Sequence, residues 1–191
     1  MALTATIYKV SIQIADMDRH YYQDHALTIA CHPSETDERL MVRILAFARH
    51  ASEGLSFGKG RIGVGIKPAD DEPDLWQKDL TGAVDLWIEV GLPDEKSIRQ
   101  ACGRAKQVVV YAYGGAKTDR WWNEFVGARR AVPKNLTVIN VSPDTTRALA
   151  ALVTRRDLHL TCTVQDGDMV IGDGDKTVQI ALTILKEAQA V

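Results

Sequence analysis

Residues 83–91 read AVDLWIEVG, with Val84, Leu86, Ile88 and Val90 at alternate positions. A period of two predicts a strand that buries this set on one face. The opposite face then carries Asp85, Trp87 and Glu89. Alternation also predicts strands at ATIYKVSIQIAD (5–16) and HALTIACH (25–32). QVVVYAYGG is a continuous apolar run closed by glycines, the pattern of a strand covered on both faces. NLTVINV adds another strand, and LHLTCTVQDGDMVIGDGDKTVQIALTIL reads as a meander with turns at 165–168 and 172–175.

Helical spacing appears in HPSETDERLMVRILAFARHA, where Leu40, Met41, Ile44, Leu45 and Ala48 form a stripe. Ser34 is placed as the N-cap, with Asp37 in the first turn. LPDEKSIRQACGRAKQ opens with proline and acids, as helix N-termini do. Strand, helix and strand over 84–113 therefore make a right-handed βαβ unit with parallel strands. DRWWNEFVGARR and SPDTTRALAALVTRR supply two further helices. No linker, repeat or low-complexity segment interrupts the chain, so one domain over 1–191 is expected.

Composition narrows the class. The chain has 191 residues, is 46% hydrophobic and carries a formal net charge of −2. A strongly basic nucleic-acid binder is excluded, although local basic patches are not. Cys31, Cys102 and Cys162 have no zinc-ligand spacing, which points to reduced thiols. The N-terminus gains charge too early for a signal peptide, and no apolar run approaches a membrane span. A soluble cytoplasmic protein is expected.

Several patterns resemble sites without their context. Gly58, Gly60 and Gly63 fit G-x-G-x-x-G, but no helix start follows them, so a bulged strand or hairpin is the better reading. Asp166, Asp168, Asp173 and Asp175 lack calcium-loop spacing and suit Asp-Gly turns. The histidines show no H-E-x-x-H, and no serine sits in G-x-S-x-G. Trp121 and Trp122 could stack bases, or pack one ring in the core.

The acids are more specific. Glu38 flanks the first helical stripe. Asp70, Asp71, Glu72 and Asp74 cluster before the strand that bears Asp85 and Glu89. Each has an ordinary alternative: Glu38 at a positive helix end, the loop acids in solvent, and Asp85 and Glu89 at a wet edge or paired with a helix cation. Together, a helix Glu and strand acids within an α–β–β–β–α–β order resemble the PD-(D/E)XK nuclease fold. The correspondence runs from helix 34–51, through strands across 57–90, to helix 94–107 and strand 107–113.

The stretches ATIYK, ADMDRHYY, HPSETDERLMVRILAFA, DDEPDLW and DLWIEVGLPDEKSIRQAC resemble the YaeQ family, described as a divergent member of that superfamily. The resemblance implies an α/β fold: a mixed β-sheet flanked by helices, a restriction-endonuclease-like core, and extra strands at both chain ends. It implies Glu38 as the acid of the first helix and Glu89 as the motif (D/E). Asp85 is favoured as the metal-ligand aspartate because it shares the Glu89 face. Pro73-Asp74, which spells PD, and the nearby Asp71 remain alternatives. Asp85 and Glu89 would hold Mg²⁺, which activates water and neutralises charge at a scissile phosphate.

The departure is Gly91, which stands where the motif lysine belongs. Lys106 is expected to replace it from the following helix, with Arg99 on the same flank as the other candidate. The expected function is a Mg²⁺-dependent phosphodiesterase acting on nucleic acid through Arg99, Arg104, Arg120, Arg129 and Arg130. The alternative is a catalytically inactive module of the same fold that binds nucleic acid or a protein partner.

Overall fold

A computed structural model describes residues 5–58, 72–128 and 132–189. In chain order the elements are β1 (Thr6–Asp16), β2 (Tyr21–Cys31), α1 (Asp37–His50), β3 (Leu55–Phe57), β4 (Leu75–Lys78) and β5 (Val84–Val90). There follow α2 (Glu95–Arg104), β6 (Ala105–Tyr113), α3 (Ala116–Gly127), β7 (Leu136–Val141) and α4 (Pro143–Ala150). The chain ends with β8 (Asp157–Gln165), β9 (Asp168–Gly172), β10 (Thr177–Gln179) and β11 (Leu182–Lys186). The one mixed sheet expected from the sequence is corrected: the described strands form two sheets, in separate compact units.

The first unit holds the sheet β10-β9-β8-β1-β2 together with α1 and most of α4. The extra strands at the two chain ends meet here. β1 pairs antiparallel with β2 and parallel with β8, so residues 148 and 149 positions apart in sequence become neighbours at the turns: Asp18 accepts from the Asp166 and Gly167 amides, each at 2.9 Å. Asp166 (φ 54°) and Gly167 (φ 82°) form the tight turn that Asp-Gly favours. Val10, Ile12 and Ile14 align with Leu158, Leu160 and Cys162 on one buried face.

α1 begins later than its expected cap. Thr36 Oγ1, not Ser34, accepts from the Arg39 amide at 3.2 Å, and Ser34 bonds the His32 ring instead. The Phe47 ring meets His25 of β2 edge-on at 5.1 Å between centroids.

The second unit holds the sheet β11-β7-β6-β5-β4-β3, with α2 and α3. β3, β4 and β5 form an antiparallel meander, and β5, β6 and β7 are parallel. This agrees with the crossover expected over 84–113. β4 replaces the loop expected around Leu75–Lys78. β11 leaves the C-terminal meander and pairs with β7. Asp94 caps α2, its carboxylate accepting from Ser97 N at 2.7 Å. Ile98 and Ala101 of α2 and Phe125 of α3 join Trp87, Val108, Val110, Ala112, Leu136 and Val138 in one apolar cluster.

Candidate functional site

β5 is buried on both faces from Leu86 to Val90, so its acids do not line a wet edge as a group. Trp87 is 5% exposed and Glu89 4%. The Trp87 indole donates from Nε1 to Glu89 Oε1 at 2.9 Å, as two residues on one strand face can. A buried carboxylate needs such donors, since desolvation otherwise favours loss of its charge.

Asp74 lies against the same point of β5. Leu75 pairs with Ile88, and Asp74 immediately precedes it. The Asp74 amide donates to Ile88 O at 3.0 Å, and its Oδ2 accepts from the Val90 amide at 2.8 Å. These bonds grip the residues on either side of Glu89. Asp74 is completely buried. Asp74, just before β4, and Glu89 on β5 are thus two buried acids at paired positions near the C-terminal end of β5, each carboxylate held by its own donor.

Asp85 occupies the other end of the strand. Four residues at about 3.3 Å each separate it from Glu89 by about 13 Å along β5. Oxygens bound to one magnesium ion lie within about 4 Å of each other. The two carboxylates also turn to different partners, Asp85 to Lys106 and Glu89 to Trp87. Asp85 and Glu89, expected to share one ion, lie toward opposite ends of β5 with separate partners.

Lys106 is also relocated. α2 ends at Arg104, and Lys106 lies on β6, where the parallel register sets Val84 opposite Ala105 and Leu86 opposite Gln107. Its Nζ is 2.6 Å from Asp85 Oδ1 and 3.7 Å from Asp79 Oδ2. Hydrogen bonding to Asp85, reinforced by its charge, raises the lysine above its ordinary pKa. Asp79 is lowered chiefly by its hydrogen bond from Thr81; it also accepts the Ala83 amide and so closes the β4–β5 turn. Lys106 thus completes an exposed ion pair at the opposite end of β5 from Glu89.

Gly91 follows with φ 113°, and its amide donates to Tyr111 O at 2.9 Å. That conformation favours glycine over any residue with a Cβ. Glu38 is half-buried in the first turn of α1 and belongs to the first unit, whereas Asp74, Asp85, Glu89 and Lys106 belong to the second. Arg99 pairs with Glu95 on the exposed side of α2 at 3.3 Å; Arg104 and Arg120 are exposed. Asp70, Asp71, Arg129 and Arg130, with Gly60 and Gly63 of the glycine pattern, lie outside the described residues.

The tryptophan pair is packed. Trp121 and Trp122 stand 6.0 and 5.7 Å from the Phe125 ring, and Trp121 Nε1 donates to Pro93 O. No group of three or more His, Cys, Asp or Glu suited to a metal occurs among the described residues. A buried ion pair escaped sequence reading: Glu35 Oε1 receives Arg39 at 3.1 Å and Arg43 at 3.0 Å. Its signal was Arg39 and Arg43, four and eight residues beyond Glu35, with Arg43 inside the buried stripe of α1.

Comparison with known proteins gives a consistent kinship. The family model for YaeQ protein matches residues 1–182. The chain is 39% identical over 183 residues to "Uncharacterized protein YaeQ" of Salmonella typhi, covering 96% of this chain and 97% of that protein. The Escherichia coli (strain K12) protein of the same name is 38% identical over 184 residues, with the same coverage. The crystal structure of YaeQ from Xanthomonas axonopodis pv. citri superposes with a TM-score of 0.85 at 44% identity, over 97% of this chain and all (100%) of that one. YaeQ from Pseudomonas syringae gives 0.83 at 32% identity, over 96% of this chain and 97% of that one. End-to-end likeness in sequence and in mixed α/β architecture places the chain in the YaeQ family.

Proposed function

We propose that the chain is a divergent metal-dependent phosphodiesterase acting on nucleic acid, with Asp74 and Glu89 as its metal-binding carboxylates. The observation that carries this reading is the placement of Asp74 across the Glu89 position. It is supported by the chain order α1, β3, β4, β5, α2, β6, the succession of helix, three strands, helix and strand that such a core would have. In that frame Pro73-Asp74 takes the motif aspartate role and Asp85 a structural one.

Asp74 and Glu89 would offer Mg²⁺ hard carboxylate oxygens. The ion favours hard oxygens and uses one or two carboxylates, with water and phosphate supplying the rest. Bound there, it would supply a more acidic water and neutralise charge on the phosphate. The Val90 amide and the Trp87 indole hold the two carboxylates in place. Exposed Arg99, Arg104 and Arg120 would contact backbone phosphates.

The test is thermal denaturation with Mg²⁺ or Mn²⁺. A metal-dependent rise in wild type and in Asp85→Asn, lost in Asp74→Asn and Glu89→Gln, is expected. The same response in all four proteins would sink the metal site. Cleavage of single-stranded, double-stranded and branched substrates then reports activity. A second reading, a binding module that does not cut, is favoured by Gly91, because no motif lysine stands after Glu89. Metal binding without cleavage of any substrate would select it.

A further inference from the structure

Tyr113-Gly114-Gly115-Ala116-Lys117-Thr118 joins β6 to α3. Gly114 and Gly115 both have positive φ, 126° and 62°, and the ψ of Gly115 is −125°. A side chain at Gly115 would be strained by that backbone and would place its Cβ 3.2 Å from Pro143 Cγ. The turn is therefore a bare-backbone passage from a parallel strand into a helix of 12 residues.

No side chain caps this helix. The amides of Gly115 and Ala116 donate to no acceptor among the described residues. Thr118 and Asp119 donate back to Gly115 O, at 2.8 and 3.3 Å. Uncapped amides with the positive end of a helix dipole form an anion site when something specifies the ligand. Thr118 is that second feature. It is 0% exposed, and its Oγ1 has no hydrogen-bond partner. The hydroxyl is directed at the turn, 3.8 Å from where a Cβ on Gly114 would stand. A buried hydroxyl without a partner is costly, and here it faces the loop whose amides are also unfilled.

Lys117 adds charge. It is exposed and makes no ion pair among the described residues. It offsets Asp119, the exposed acid of the same first turn. Backbone amides, one hydroxyl and one ammonium group make a donor set for a tetrahedral oxyanion with several acceptor oxygens.

We propose that the β6–α3 turn binds a phosphate group through the Gly115 and Ala116 amides, Lys117 and Thr118. The phosphate is carried by a small phosphorylated molecule or by a nucleic-acid strand; the chemistry of recognition is the same. This site does not depend on the Asp74–Glu89 metal reading, and its test is run in chelator.

The experiment follows amide resonances of the full chain while inorganic phosphate is added at constant ionic strength, with EDTA present. Saturable shifts at Gly115 and Ala116 are expected. Lys117→Ala and Thr118→Val should each weaken binding about fivefold, the usual effect of one lost hydrogen bond. Thr118→Ser should restore it, while Thr118→Val keeps or raises thermal stability because it removes the unpartnered hydroxyl. Oligonucleotides with and without a 5′-phosphate identify the source. A stronger response to the phosphorylated strand assigns the site to nucleic acid. An equal response from both strands, no better than phosphate itself, assigns it to a small phosphorylated molecule. Shifts that do not saturate, or full affinity in Thr118→Val, would overturn the proposal.

Discussion

Trp87 and Glu89 share one face of β5, and the indole of the first donates to the carboxylate of the second at 2.9 Å. Trp87→Phe keeps the ring in the apolar cluster and removes the donor. The buried carboxylate then loses a charge-assisted bond, and stability falls by about 1–3 kcal/mol in urea unfolding. Adding Glu89→Gln to Trp87→Phe should relieve part of that loss, because the amide carries no charge to desolvate. Losses that simply add in the double mutant would mean that the two side chains are not coupled.

Glu35 and Arg43 make a second buried dependence, with side chains 8% and 3% exposed. Arg43→Met removes one of the two arginines paired with Glu35 and should cost about 3–5 kcal/mol. The double change to Met at 43 and Gln at 35 should recover much of it, since breaking one half of a buried pair costs more than replacing both. Equal destabilisation in the single and double variants would count against the pair as the cause.

The Asp85–Lys106 pair should behave differently, since its lysine side chain is 66% exposed. Salt should screen it, and Asp85→Asn should move the unfolding midpoint little. The pKa of Lys106 is raised above the ordinary 10.5 by Asp85. Its small stabilisation is therefore present below that value and is lost as pH rises through the folded-state pKa. Alkaline denaturation curves of wild type and Asp85→Asn should converge above pH 10.5 and differ below it.

Gly91→Lys puts a lysine two residues after Glu89 but at φ 113°. Nothing lies within 4 Å of the added Cβ, so the cost is conformational, about 1–2 kcal/mol. Gly91→Ala should show the same loss. A loss confined to the lysine variant would point to its charge instead.

Thiol labelling should report packing. Burial pushes Cys31 up to about 11 and Cys162 up to about 12. At pH near 8 a thiol reagent should modify half-buried Cys102 first, and the other two only on unfolding. Rapid labelling of all three in the native protein would contradict their burial.

Alternation and helical spacing were enough to locate β1, β2, β5, α1 and the parallel β5–α2–β6 unit, because local periodicity reports which side of an element is buried. The same periodicity set Asp85, Trp87 and Glu89 on one face. It could not say that the face was covered along most of its length, since the cover comes from α2 and α3. Lys106 illustrates the limit: Ala101, Cys102 and Ala105 extend a helical stripe, yet the sheet claims the chain from Ala105 because β6 must pair with β5 and β7.

The amino-acid sequence by itself determined the family and most of the helices and strands. Only the tertiary structure decided which partner each acid takes. Strand pairing brought Asp74, fifteen positions earlier in the chain, against Glu89, and left Asp85 at the far end of its own strand beside Lys106. Proximity across a sheet is set by register, a relation between strands. Spacing along one strand gives only a common face and a distance of about 3.3 Å per residue.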